Sequence, residues 1–72
     1  MAVSYSKLWK KLIDKNMKKM QLKEVAGIGS TTLSKLSKNQ PVSIEVMMKL
    51  CGVLECNIGD IMDVIDERKQ DV

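Results

Sequence analysis

The segment Met20 to Lys38, MQLKEVAGIGSTTLSKLSK, constrains the fold more than any other stretch of the chain. An apolar-patterned run carrying Leu22, Val25 and Ala26 meets Gly27-Ile28-Gly29, and a second run follows with Leu33 and Leu36 three residues apart. Glycine is the residue expected where a helix closes with positive φ. The pattern predicts two short helices joined by a tight turn, with Ile28 as an apolar peg that fixes their angle. The second helix, from about Ser30, turns Ser30, Thr31, Thr32, Ser34 and Lys35 outward, and none of these is acidic. Its hydroxyls lower intrinsic helicity. Its leucines and its context must therefore hold it, and its composition serves something besides helix stability. Small polar donors and a cation suit a helix lying against a negative surface.

The flanking sequence reads as scaffold for this pair. Tyr5, Leu8, Trp9 and Leu12 recur at three- and four-residue steps, with Ile13 alongside, as one helical face. Ser4 or Ser6 is available to cap that helix, and Asn16 suits its end because Asn tolerates the left-handed conformation. Ser30 is expected to cap the helix it opens. After Lys38-Asn39-Gln40-Pro41, a polar connection with a proline stop, Ser43 is placed to cap a fourth helix, with Glu45 near its positive end. Met47, Leu50, Cys51 and Leu54 form its inward stripe, with Ile44 and Val46 as possible additions. Asn57 is positioned to cap a short fifth helix. The expected fold class is all-α, a compact bundle of four to five short helices, occupying residues 1–65 and followed by a polar C-terminal tail over 66–72.

A chain of 72 residues supports one small domain. No apolar run reaches membrane-spanning length, and no signal-type segment opens the chain, so a cytoplasmic protein without a membrane partner is expected. Cys51 and Cys56 read as reduced thiols used as small apolar groups. Two cysteines without a histidine make a poor zinc site. Histidine-based acid–base chemistry is excluded by composition. With no phosphate-cradling loop and little room for a cleft, an enzyme is not expected, nor is a cofactor or small-molecule ligand. The formal net charge of +3 conceals an asymmetry. Residues 1–40 hold nine Lys against Asp14 and Glu24, a balance of +7, whereas residues 41–72 hold Lys49, Arg68 and Lys69 against seven acids, a balance of −4. A basic half containing a helix pair points to a polyanion, set against the plainer reading of a solvated lysine surface.

The segment Lys19 to Leu36 resembles the helix-turn-helix of Cro- and lambda-repressor-like regulators, also called the xenobiotic-response-element family. Leu22, Gly27, Ile28, Leu33 and Leu36 carry the resemblance, which extends over Tyr5 to Met62. Three positions depart from the family pattern. Lys23 stands where a small residue, often Ala, is usual. Lys19 stands where a phosphate-contacting Gln often begins the helix, and Gly29 where Ser is frequent.

The resemblance implies a lambda-repressor-like DNA-binding domain, with the Ser30–Lys38 helix in the major groove of double-stranded DNA. Ser30, Thr31 and Lys35 match the base-reading positions. Lys18, Lys19, Thr32, Ser34, Lys38 and Asn39 would meet phosphates or the groove wall and set register. The implied function is sequence-specific transcriptional regulation, expected as a homodimer. Ile58, Ile61, Met62 and Ile65 are the candidate dimer surface, while the first three serve equally to close the core. The alternative is a protein-interaction module on the same fold, of antitoxin or anti-repressor type.

Overall fold

The computed structural model describes residues 2–66, so Met1 and residues 67–72, with nearly all of the expected tail, lie outside the described residues. Four α-helices form the body: α1 (Ser6–Asp14), α2 (Lys19–Ala26), α3 (Ser30–Ser37) and α4 (Ile44–Leu54). A 3₁₀ turn at Ile58–Asp60 follows α4. Two short strands, β1 (Ala2–Ser4) and β2 (Asp63–Ile65), pair antiparallel, with Ala2 opposite Ile65 and Ser4 opposite Asp63. The helical bundle is the one expected; the ribbon joining the two ends of the described chain is an addition to it. Strands of three residues carry too little alternation to register as a period.

The core draws on every helix. Tyr5, Leu8 and Leu12 enter from the first segment, Leu22 and Ala26 from α2, Ile28 from the turn, and Leu36 from α3. Met47, Leu50 and Leu54 of α4 complete it with Ile61. Burying a leucine of this kind contributes about 2 kcal/mol before chain entropy is counted. Three apolar residues expected near the inner face lie outside it: Ile13 is 74% exposed, Val25 58% and Ile44 63%. In α2 the buried line runs through Leu22 and Ala26, four residues apart, and Val25 falls beside that line.

All four helices end in the same way. The N–H two residues past the cap donates to the carbonyl five residues back: Met17 to Leu12, Ile28 to Lys23, Gln40 to Lys35 and Cys56 to Cys51, at 2.9 to 3.1 Å. Between them stand Asn16, Gly27, Asn39 and Glu55, each with φ between 53° and 68°. This is the Schellman closure, which satisfies the orphan carbonyls of the last turn and brings the residues on either side of it together. Gly27 and Asn16 fit the left-handed position without or with little penalty, as the sequence predicts. Glu55 carries a Cβ there and no compensating chemistry of the Asn type. The same closure brings Cys51 and Cys56 to one shallow depression, with both thiols free. Burial raises the Cys51 pKa, and the neighbouring Cys56 and Asp60 add to the rise, which keeps this thiol protonated.

Helix starts match the expectations in part. Ser43 Oγ accepts from Val46 N–H at 3.2 Å and caps α4, with Glu45 in the first turn. Gly29, not Ser30, is the N-cap of α3, and no side chain caps it. The Ser30 hydroxyl is thereby released from capping. At α2 the Lys18 N–H donates to Gln21 Oε1 at 2.9 Å, and at the 3₁₀ turn Asn57 N–H donates to Asp60 Oδ2 at 3.0 Å. Ser4 Oγ accepts a long bond from Ser6 N–H, 3.4 Å, ahead of α1.

Candidate nucleic-acid interface

Helix α3 is held at its start by the turn and helix that precede it, and at its end by a group distant in sequence. At its start, the Gly27 turn and the buried Ile28 set its departure from α2. Lys23 Nζ, from α2, donates to Ser30 Oγ across the turn at 3.2 Å. At its end, Asn39 Oδ1 accepts from Tyr5 N–H at 3.1 Å, and Tyr5 Oη donates to the Gln40 carbonyl at 2.8 Å. The connection after α3 is thus tied to the junction of β1 and α1. Burial raises the Tyr5 pKa, opposed by a hydrogen bond from the Val42 backbone, so the phenol stays protonated and remains a donor. Leu36 anchors the helix in the core from beneath.

What α3 presents outward follows from that seating. Ser30, Thr31, Ser34 and Lys35 are exposed, while Thr32 and Leu33 are half-buried. The base-reading candidates Ser30, Thr31 and Lys35 therefore share the solvent-facing side of one short helix. Among the phosphate candidates, Lys18, Ser34 and Lys38 are exposed. Lys19 is exposed too, but its ammonium sits 4.2 Å from the centroid of the Trp9 ring. Such a cation–π contact contributes about 0.5–1 kcal/mol at an exposed site and orients the lysine. Trp9 is accordingly a partly buried residue with one face under Lys19, and not solely a core anchor. Asn39 has a structural duty that its sequence position did not announce, because its carbonyl oxygen is committed to Tyr5; its amide N–H₂ is the group left for a phosphate.

The four residues expected as a dimer surface separate in the structure. Ile61 is completely buried in the core and is corrected out of that surface. Ile58 and Met62 are partly buried against the core, and Ile65 is half-buried in β2 opposite Ala2. Lys7 ties this end of the chain to α1, with Nζ 3.0 Å from Asp63 Oδ1 and donating to the Gly59 carbonyl at 3.2 Å.

Among the described residues, no group of three or more His, Cys, Asp or Glu is arranged to hold a metal ion. No described helix is long and apolar enough to cross a membrane.

Comparison with known proteins agrees with this geometry. The family model for the Cro/C1-type HTH DNA-binding domain matches residues 7–67. The chain belongs to this family. The crystal structure of the transcriptional regulator VanUg, in its form II, superposes on this chain with a TM-score of 0.88 at 47% sequence identity. That match covers 92% of this chain and 88% of the VanUg chain. No curated protein sequence matches. Within the Cro/C1-type domain, α2 and α3 are the helix-turn-helix and α1, α4 and the ribbon are its support. The half-buried Lys23, one of the three departures from the family pattern, is the residue that reaches Ser30. A seven-residue spacing across a turn has no periodic signature, so nothing in the sequence announces that contact.

Proposed function

We propose that this domain is a sequence-specific transcriptional regulator that places α3 in the major groove of double-stranded DNA. The observation that carries the reading is the seating of α3: a hydroxyl- and lysine-bearing outer face without acids, held at both ends, in a Cro/C1-type domain. VanUg, similar along nearly the whole chain, is a transcriptional regulator. In this reading Ser30, Thr31 and Lys35 meet base edges. Lys18, Lys19, Thr32, Ser34, Lys38 and Asn39 meet phosphates or the groove wall and fix register. Lysine reaches guanine acceptors, and the hydroxyls add contacts of lower discrimination.

A module of this size makes few base contacts, so two copies are proposed, with their α3 helices about 34 Å apart on successive major grooves. Ile58, Met62 and Ile65 are the remaining candidates for the surface between copies. The acidic C-terminal half faces away from DNA, and the protein acts in the cytoplasm.

A salt titration of duplex binding tests the reading. If about six phosphates are contacted by a dimer, affinity falls steeply, on the order of 10³-fold between 50 and 200 mM salt. Absence of duplex binding even at low salt overturns it and favours a protein-interaction role. Selection from a random duplex pool then gives the operator, and a palindromic result establishes the dimer.

A further inference from the structure

The Lys23–Ser30 contact has a consequence for which bases are accepted. A serine hydroxyl is an ambiguous reader, since it carries one donor and two acceptor lone pairs and rotates to suit its surroundings. Here its surroundings are not neutral. Lys23 Nζ donates to Ser30 Oγ at 3.2 Å, and an ammonium is a donor only. The hydroxyl must accept in that contact, and a charge-assisted bond is the stronger kind. Ser30 is not engaged in capping, because Gly29 holds the N-cap position and no side chain caps α3. Its hydrogen is turned away from the ammonium. Ser30 is exposed and stands at the start of α3, where a groove-bound helix brings its side chains to base edges.

We propose that Lys23 is a positioning residue for sequence readout: by occupying one of the two acceptor sites on Ser30 and turning its hydrogen away from the ammonium, it biases the hydroxyl toward donating to DNA. Ser30 then accepts bases that present an acceptor in the major groove. Guanine N7 and O6, adenine N7 and thymine O4 qualify, whereas cytosine presents only its N4 amino donor. Cytosine opposite Ser30 is therefore the disfavoured base. Lys23 has two further N–H groups, so it can hold Ser30 and attract a phosphate together. The two effects differ in kind, because the phosphate term is uniform over sequences and the Ser30 term is confined to one base pair.

This inference rests on the DNA-binding reading above, and the experiment separates the two. Wild type, Ser30→Ala, Lys23→Ala and Lys23→Arg are each taken through selection from a random duplex pool. Binding is then measured on duplexes varied at one pair. The pair whose preference changes in Ser30→Ala is the pair Ser30 reads. Wild type should disfavour cytosine there by about 3- to 10-fold, in line with a single hydrogen bond being weaker than a bidentate pair. Lys23→Ala should reduce that preference to within about 2-fold while leaving preferences at other pairs unchanged, and Lys23→Arg, which retains a cationic donor, should restore it. In Ser30→Ala the further change Lys23→Ala should have no effect on base preference.

Alanine removes no buried core group here and is the best helix former, so Lys23→Ala is expected to fold, and its circular dichroism spectrum checks this. Wild type that binds no duplex at low salt overturns the DNA reading itself. Wild type that selects a site, with Lys23→Ala keeping the full preference at the Ser30 pair, overturns this inference alone. So does a Ser30→Ala variant whose selected site is unchanged at every pair.

Discussion

Helices α3 and α4 lie one connection apart and are built on opposite terms. Helix α4 spends its sequence on itself: Ser43 caps it, Glu45 complements its positive end, and Met47, Leu50 and Leu54 bury its inner side. Helix α3 has no side-chain cap, no acid in its first turn, and a single fully buried residue, Leu36. Its stability comes from elsewhere: Lys23 and the Gly27 turn at one end, Tyr5 and Asn39 at the other. A helix whose stabilising contacts are delegated to its neighbours keeps its own outer residues available. Ser30, Thr31, Ser34 and Lys35 are exposed for that reason.

The largest test of the contrast is also where the two helices should agree. Leu36→Ala and Leu50→Ala each remove a fully buried side chain, and each should cost about 2–5 kcal/mol in urea unfolding. If Leu36→Ala costs below about 1 kcal/mol, the core does not seat α3 and the comparison breaks.

The serines at the starts of the two helices should separate them instead. Ser43→Ala should destabilise by about 1 kcal/mol, whereas Ser30→Ala should stay within about 0.5 kcal/mol, by thermal melts run in parallel. Equal losses would mean that the exposed Lys23–Ser30 contact is worth as much as the Ser43 cap.

Tyr5→Phe isolates the remote anchor of α3 and should cost about 1 kcal/mol near neutral pH, through the lost bond to the Gln40 carbonyl. Its pH dependence has a definite sign. The folded pKa of Tyr5 is raised above 10.0, chiefly by burial, so the protonated phenol is favoured by folding. That stabilisation is complete below the unfolded value and is lost as pH rises through the folded one. The advantage of wild type over Tyr5→Phe should therefore shrink above about pH 10. All other groups are common to both proteins, and the difference between the melts removes their contribution. A gap that widens with alkali would reverse the assignment.

The smallest effect belongs to the end of α4. Glu55→Gly relieves a left-handed residue with a Cβ and should stabilise by about 0.5–1 kcal/mol in denaturant titrations. Destabilisation would mean that Glu55 makes a contact worth more than its backbone strain.

How much of this was legible in the sequence depends on the range of the interaction. The α1 stripe of Leu8 and Leu12, the closures at Asn16 and Gly27, and the Ser43 cap are all local, and each stands where the pattern put it. Val25 and Ile13 were drawn inward because short helices of eight and nine residues leave the width of the apolar face ill-defined. The start of α3 was read one residue late, since Gly29 and Ser30 are both acceptable N-caps and only backbone geometry distinguishes them. The restraints on the candidate site were hidden, because Asn39 and Gln40 find Tyr5 across 34 and 35 residues. Lys23 showed as an anomaly in a pattern, and its use needed the angle between two helices.

The ribbon sets an order in time. The turn between α2 and α3 closes over a few residues, whereas the pairing of Ala2 with Ile65 closes a loop of nearly the whole chain. Long closure is entropically dearer than short closure and delays the contacts that depend on it. The helix pair is therefore expected to assemble early and the ribbon late. Unfolding should run in the opposite order, and hydrogen exchange checks it: the strand amides are expected to exchange before those of the helices. In that order the ribbon would act as a latch, set after the rest has taken shape.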